Sequence, residues 1–236
     1  MKHEGLFTPY RIAEARIENR ITRTLFFDAP MEGVQPGQYI MAWLPGCGEK
    51  PFSISGDEPL AITVADVGSF SHALTQLEKG DPVWIRGPFG VGFSLEGQRH
   101  LLVGGGYGAA PLSLLARRAR EKGHSVAVAL GAKTESDLML VSLFRKMGCQ
   151  VYLTTEDGSV GLKGLVTGVL EKAFVDLKPE TLFACGPNPM LMSLAAFAQR
   201  NKLAAQLSFE ALIRCGVGLC GSCELPEETC INLGVP

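Results

Sequence analysis

Residues 100–123 read HLLVGGGYGAAPLSLLARRAREKG. The opening HLLVGG is an apolar run ending in glycine, the pattern of a strand buried in a parallel sheet. AAPLSLLARRAREKG reads as a helix that stops at Gly123. Between them, Gly104, Gly105, Gly106 and Gly108 let the backbone turn sharply and let a ligand approach the main chain. The unpaired N–H groups of the helix start favour negative charge, so the turn suits a phosphate; the plainer reading is a tight packing turn.

Working outward, the same rhythm continues to the C-terminal side. SVAVAL (125–130), QVYLTTE (150–156) and TLFACG (181–186) read as strands. SDLMLVSLFRKMG (136–148), GLVTGVLEKAFVD (164–176) and NPMLMSLAAFAQRNK (188–202) read as helices, and AAQLSFEAL (204–212) is a last extended piece. Four β-α repeats predict a parallel α/β sheet with helices on both faces. The usual dinucleotide fingerprint also places an acid at the tip of the second strand. Here that tip reads LGAKTES, without one, so a dinucleotide would bind in a variant way.

Toward the N-terminus the pattern is different. RIAEARI (11–17), TLFFDA (24–29), QYIMAWL (38–44), PFSIS (51–55) and LAITVADV (60–67) are short and β-rich, with turn signals at Pro36-Gly37 and Gly80-Asp81. One helix, SFSHALTQLEK (69–79), interrupts them. This half predicts a small antiparallel β-barrel, closed or nearly so. The expected division is 1–96 for the barrel, 97–208 for the α/β domain and 209–236 for a cysteine-rich segment.

Bulk properties exclude several classes. The 236 residues are 46% hydrophobic and 19% charged, an ordinary globular balance. A net charge of −2 with no basic stripe argues against nucleic-acid binding. MKHEGLFTPY lacks the apolar core of a signal peptide, and no run approaches a membrane span. The expectation is a cytoplasmic protein.

Three further places carry chemistry. ACGPNPM (184–190) is a second strand-to-helix turn at the carboxyl end of a parallel strand, where such sheets bind ligands. Cys185 there borders a reactive ring or packs as alanine would. In the barrel, EKPFSIS (49–55) offers a cation, a ring and a hydroxyl; Gly68-Ser69-Phe70-Ser71 opens a helix with hydroxyls, as an anion site or as an N-cap. Two ligand turns in each half suggest a cleft between the halves. Last, Cys215, Cys220, Cys223 and Cys230 are spaced C-x4-C-x2-C-x6-C, with glycines at 216, 218 and 221. The order is that of plant-type [2Fe–2S] sites. Four thiolates in close pairs also suit structural zinc, and free or bridged thiols are the third reading. The histidines at 3, 72, 100 and 124 form no cluster in sequence, and His72 reads as a helix-surface residue.

Together these motifs resemble the ferredoxin-reductase superfamily, over nearly the whole chain and in the same order. Lys50-Pro51-Phe52-Ser53 is similar to its R-x-[YF]-S motif. The resemblance implies that Pro51 and Ser53 face the isoalloxazine of FAD and that Lys50 takes the arginine's place on the pyrophosphate, keeping the charge but losing the bidentate fork. Gly68, Ser71 and Leu74 match G-x-x-[ST]-x-x-L, implying flavin-phosphate contacts near Ser69. Gly104, Gly105, Gly106, Gly108 and Pro111 match a GG-G-APL motif, and Gly186 and Pro187 a CGP-PM motif, both on the side of the NAD(H) substrate. Lys133 suits a 2′-phosphate or is a solvated loop residue.

The tail FEALIRCGVGLCGSCEL resembles one branch, the electron-transfer subunits of type B dihydroorotate dehydrogenase. That branch has a longer gap before the fourth cysteine and ends near C-x-x-G-P-V-F, where this sequence reads TCINLGVP. The resemblance implies an FAD- and [2Fe–2S]-dependent NAD(P)H oxidoreductase subunit of pyrimidine biosynthesis. It also implies an FMN-containing catalytic partner that oxidises dihydroorotate to orotate, in a heterotetramer. Similar subunits feed electrons into ferredoxin:NADP oxidoreductase, sulfide dehydrogenase and hydrogenase complexes. The rival from another class is a non-enzymatic, metal-carrying regulatory protein on the same fold.

Overall fold

The computed structural model describes residues 6–209 and 211–223. The chain divides into two compact units: one runs to Gly92 and takes in the segment from Ala211, and the other begins at Phe93.

The first unit is a six-stranded antiparallel barrel made of β1 (Thr8–Ile17), β2 (Thr22–Phe27), β3 (Tyr39–Leu44), β4 (Gly48–Asp57), β5 (Leu60–Ala65) and β6 (Pro82–Phe89), with a short helix α1 (Ser69–Thr75). It closes in the order β1-β2-β5-β4-β3-β6. Alternation along the strands builds it: Ile40, Ile54, Ile62, Val64, Val83 and Ile85 are buried in its core. β6 was not among the expected strands. Pro82 stands at its first position and Gly87-Pro88 near its end, so the segment reads as punctuation, although proline is tolerated where a strand begins. α1 ends at Thr75, short of the expected Lys79, because the chain beyond turns back to the barrel, where Gly80 N donates to Ile12 O at 2.8 Å.

The second unit holds β7 (Arg99–Gly105), α2 (Ala109–Glu121), β8 (Ser125–Ala132), α3 (Val141–Lys146), β9 (Gln150–Thr155), β10 (Leu162–Lys163), α4 (Leu170–Leu177), β11 (Thr181–Cys185), α5 (Asn188–Arg200) and β12 (Ala204–Ser208). The sheet is parallel, in the order β10-β9-β8-β7-β11-β12. Leu101 and Val103 face one way, toward α4 and α5, while Leu102 faces the other, toward α2 and α3. Helices therefore cover both faces, as the β-α rhythm predicts. α3 is shorter than the expected 136–148. Met139 and Leu140 are drawn into the core, and Leu140 takes a left-handed φ of 59° that no helix continues through. Val166–Val169 likewise winds as a 3-10 turn before α4 begins.

Strand order reverses on either side of β7, so β7 and β11 flank the topological switch point. Open α/β sheets bind their ligands there, beyond the strands' carboxyl ends. Both glycine turns lie at that place.

Candidate functional site

In the α/β unit the glycines do two different jobs. A Cβ on Gly108 would overlap the carbonyl of Cys185, and one on Gly105 would meet Met190 Sδ at 2.8 Å and Pro187 Cδ at 3.0 Å. Gly104 pairs in register with Cys185, and a Cβ there would meet Ala109 Cα at 3.0 Å. These three glycines, with Gly186 at a φ of 151°, let the two turns pack onto each other. Gly106 differs: its φ is 54° and its Cβ position faces open space. It is the point where a ligand can reach the main chain ahead of α2. Pro111 is buried in the first turn of that helix.

Beside Gly106 lies a cavity of about 400 Å³, bounded by Gly105, Lys133, Glu156, Pro187 and Met190 among others. Glu156 escaped the sequence reading. The dinucleotide fingerprint places its acid at the tip of β8, whereas this acid follows β9. Its N–H donates to Ala132 O at 3.1 Å, which seats it next to that tip. The cavity rim thus carries one cation, Lys133, and one anion, Glu156. Cys185 is half-buried at the end of β11.

In the barrel unit, Lys50, Pro51, Phe52 and Ser53 lie on β4. Lys50 and Ser53 are exposed, Pro51 and Phe52 half-buried. Phe52 stacks on Phe70 of α1 with centroids 6.0 Å apart. Gly68 and Ser69 are exposed. The Ser71 hydroxyl accepts from the N–H groups of Val67 and Gly68 and donates to Gly68 O, all at 3.0 Å. It shapes the turn, leaving Ser69 as the outward hydroxyl.

β4 pairs with β3 in register, Pro51 opposite Met41 and Ser53 opposite Tyr39. Directly opposed residues share a face, so these four project together from the outside of the barrel. That face is where the cysteine segment sits. Met41 points outward yet is only 1% exposed, because Gly216 lies against it: a Cβ on Gly216 would meet Met41 Cγ at 3.0 Å. Tyr39 Oη donates to Gly216 O at 3.3 Å. Burial, then Cys223 and Cys215, push the Tyr39 phenol up.

Gly216, Gly218 and Gly221 have φ of 74°, 76° and 69°, and the loop they bend aims its amides inward. The N–H groups of Val217, Cys220 and Leu219 and the Cys220 thiol all serve the Cys215 sulfur, which lowers its pKa to about 6. Ser222, through hydroxyl and N–H, lowers that of Cys220. Thiolates ringed by amides are what an iron–sulfur cluster requires of its ligands, so the donor chemistry fits one. Among the described residues, no three Cys, His, Asp or Glu side chains stand as a preformed metal-binding group, and the six cysteines form no disulfide. Cys230, the expected fourth ligand, lies outside the described residues.

The histidines depart from expectation in one respect. His100 Nε2 and His124 Nδ1 are 2.8 Å apart. His100 is fully buried, and burial, then His124, lower its pKa to about 4. The pair lies at the amino ends of β7 and β8, away from the glycine turns, and is structural. His72 is exposed and bonds Asp66 at 2.8 Å. No helix among the described residues is long and apolar enough to cross a membrane.

No family model matches the chain. Individual proteins do. The probable dihydroorotate dehydrogenase B (NAD(+)) electron transfer subunit of Thermococcus kodakarensis is 42% identical over 190 residues, covering 80% of this chain and 78% of that protein. The protein of the same description in Methanocaldococcus jannaschii is 34% identical over 218 residues, covering 92% and 83%. Among solved structures, the NADH-dependent reduced ferredoxin-NADP oxidoreductase, studied for flavin-based electron bifurcation, superposes with a TM-score of 0.82 at 27% identity, covering 94% of this chain and 83% of that one. With sequence identity at this level over most of both chains, and with the barrel and the parallel sheet in place, the chain belongs to the family of dihydroorotate dehydrogenase B (NAD(+)) electron transfer subunits.

Proposed function

We propose that this chain carries electrons between NAD(H) and a catalytic partner subunit through FAD and a [2Fe–2S] cluster, the partner holding FMN and oxidising dihydroorotate to orotate within a cytoplasmic heterotetramer. The observation that carries the reading is the shared outer face of β3 and β4. Pro51, on the flavin motif, stands opposite Met41, and Met41 touches Gly216 of the cysteine loop. One strand spacing, about 4.8 Å, separates the two rows.

In this reading residues 1–96 hold the flavin, 97–208 the nicotinamide nucleotide and 209–236 the cluster. Lys50 supplies the charge for the flavin pyrophosphate, Ser69 and the Gly68 turn its phosphate hydrogen bonds, and Ser71 keeps that turn in shape. Pro51 and Ser53 face the ring, and Phe52, braced by Phe70 on the opposite face of β4, backs the strand that carries them. Gly106 gives the nucleotide phosphates their approach to the start of α2, packed by Gly104, Gly105, Gly108 and Pro111. Glu156 pairs with an adenosine ribose hydroxyl, with Lys133 on the same cavity rim. Cys185, Gly186 and Pro187 border the nicotinamide. Cys215, Cys220, Cys223 and Cys230 ligate the cluster. When bound, the flavin supplies two-electron exchange with the nicotinamide and the cluster single-electron exchange with the partner. No side chain of this chain needs to move a proton; the residues bind, orient and exclude water.

Mixing the loaded chain with an FMN-containing dihydroorotate dehydrogenase catalytic subunit tests the proposal. NAD-dependent orotate formation supports it; no turnover despite full FAD and iron content contradicts it. The likeness to a ferredoxin-NADP oxidoreductase chain supports a second reading, electron input to another complex. Turnover with ferredoxin and none with dihydroorotate would favour it.

A further inference from the structure

Arg86, on β6, takes no part in the motifs above, yet its side chain is only 11% exposed and its guanidinium is held by several partners. Nε pairs with Glu49 Oε1 at 2.6 Å, and Nη2 donates to the carbonyl of Cys215 at 2.8 Å. The rings of Phe7 and Phe89 lie 5.4 and 5.3 Å from its centre. A buried cation is costly unless it is paired and hydrogen-bonded, and this one is held by a carboxylate, a carbonyl and two aromatic faces. Arg86 stands opposite Met41 on the outer face that the cysteine loop covers.

Two consequences follow from that geometry. The Cys215 carbonyl belongs to the peptide that leads into Gly216, so holding it fixes the plane from which the loop's inward amides start. Tyr39, on the Gly216 carbonyl, holds the next peptide. Second, adding one electron to a thiolate-held cluster adds one negative charge, and a poorly solvated guanidinium beside the first ligand favours that state. The Glu49 carboxylate, paired with Nε of the same guanidinium, opposes it.

We propose that Arg86 is a positioning residue for the cysteine loop and that the Arg86–Glu49 pair sets the cluster's reduction potential, Arg86 raising it and Glu49 lowering it. This rests on the cluster reading given above. The electron concerned comes from NADH by way of the flavin and leaves to the partner, so the pair exchanges neither electron nor proton.

The test uses the full chain, loaded anaerobically, as wild type, Arg86→Gln, Arg86→Lys and Glu49→Gln. FAD content reports folding, iron content against a chelator reports retention, and a redox titration followed by electron paramagnetic resonance reports the potential. Arg86→Gln retains iron about 10–100-fold less well, the usual effect of losing an outer partner of a ligand. Its potential falls by about 59 mV, a tenfold change in the one-electron equilibrium. Glu49→Gln raises the potential. Arg86→Lys keeps the potential near wild type but loses iron faster, because it lacks the fork that reaches both Glu49 and Cys215. If Arg86→Gln does not fold, Glu49→Gln and Arg86→Lys still decide the matter. Unchanged potentials in the variants, or shifts of one sign for Arg86→Gln and Glu49→Gln, overturn the proposal while a normal wild-type spectrum leaves the cluster reading standing. A wild type that binds zinc and no iron overturns both.

Discussion

Gly108 leaves no room for a side chain because the carbonyl of Cys185 occupies the place its Cβ would take. The two glycine turns at the carboxyl ends of β7 and β11, 77 residues apart in the sequence, are thus one packed unit. Gly108→Ala should destabilise the protein by about 1–3 kcal/mol, the range for overpacking a tight site. Gly106→Ala meets no atoms and carries only the strain of a positive φ, about 1 kcal/mol. Its main effect should be on NADH affinity. Urea unfolding and NADH titration of the two variants separate these outcomes.

Cys185 should influence catalysis and not cluster assembly. Cys185→Ala is expected to lower the rate of flavin reduction by NADH about tenfold, a loss of about 1.4 kcal/mol of transition-state stabilisation, with iron content unchanged. Cys220→Ser should abolish iron retention with little change in NADH oxidation by an artificial acceptor. Cys149 is buried among the core residues packed against α2 and α3, and Cys149→Ala should leave both readouts as they are.

Much of this was legible in the sequence, and for physical reasons. Strand-glycine-helix transitions at 103–111 and 184–190 are local patterns, and so are the C-x4-C-x2-C spacing and the short strands of the barrel. What escaped was set by pairing between distant segments. Arg86 lies 129 residues from Cys215, and Tyr39 177 from Gly216, so no window shows either contact. β6, which carries Arg86, was masked by its own prolines and glycine. Glu156 escaped because register brings the tip of β9 beside the tip of β8, where the dinucleotide fingerprint places its acid. The sequence could not separate packing from ligand approach in the glycine run either; Gly108 and Gly106 differ in backbone φ and in what lies around them.

The buried His100 makes the α/β unit acid-sensitive. Its pKa is about 4 in the folded chain and about 6.5 when unfolded, so the unfolded state binds the extra proton. Its contribution to stability is complete above about pH 6.5 and is lost progressively as pH falls toward 4. Urea midpoints measured across that window should decline, and His100→Leu should flatten this part of the profile.

Lys50 should be improvable. In the proposed reading it supplies a charge to the flavin pyrophosphate without the planar fork of arginine. Lys50→Arg is expected to slow FAD loss on dilution several-fold, and Lys50→Ala to speed it about tenfold or more, as suits a charge-assisted contact of roughly 1.5–3 kcal/mol. Fluorescence of released FAD follows both.

The central claim is that electrons from a nicotinamide arrive at the cysteine loop packed on β3 and β6. An anaerobic titration of the full chain with NADH, recording flavin absorbance and the low-temperature electron paramagnetic resonance spectrum together, tests it most directly. The account predicts that the flavin band bleaches and the signal of a reduced [2Fe–2S] cluster grows with it, in wild type and not in Cys220→Ser. A flavin that bleaches with no cluster signal in iron-loaded wild-type protein would contradict it.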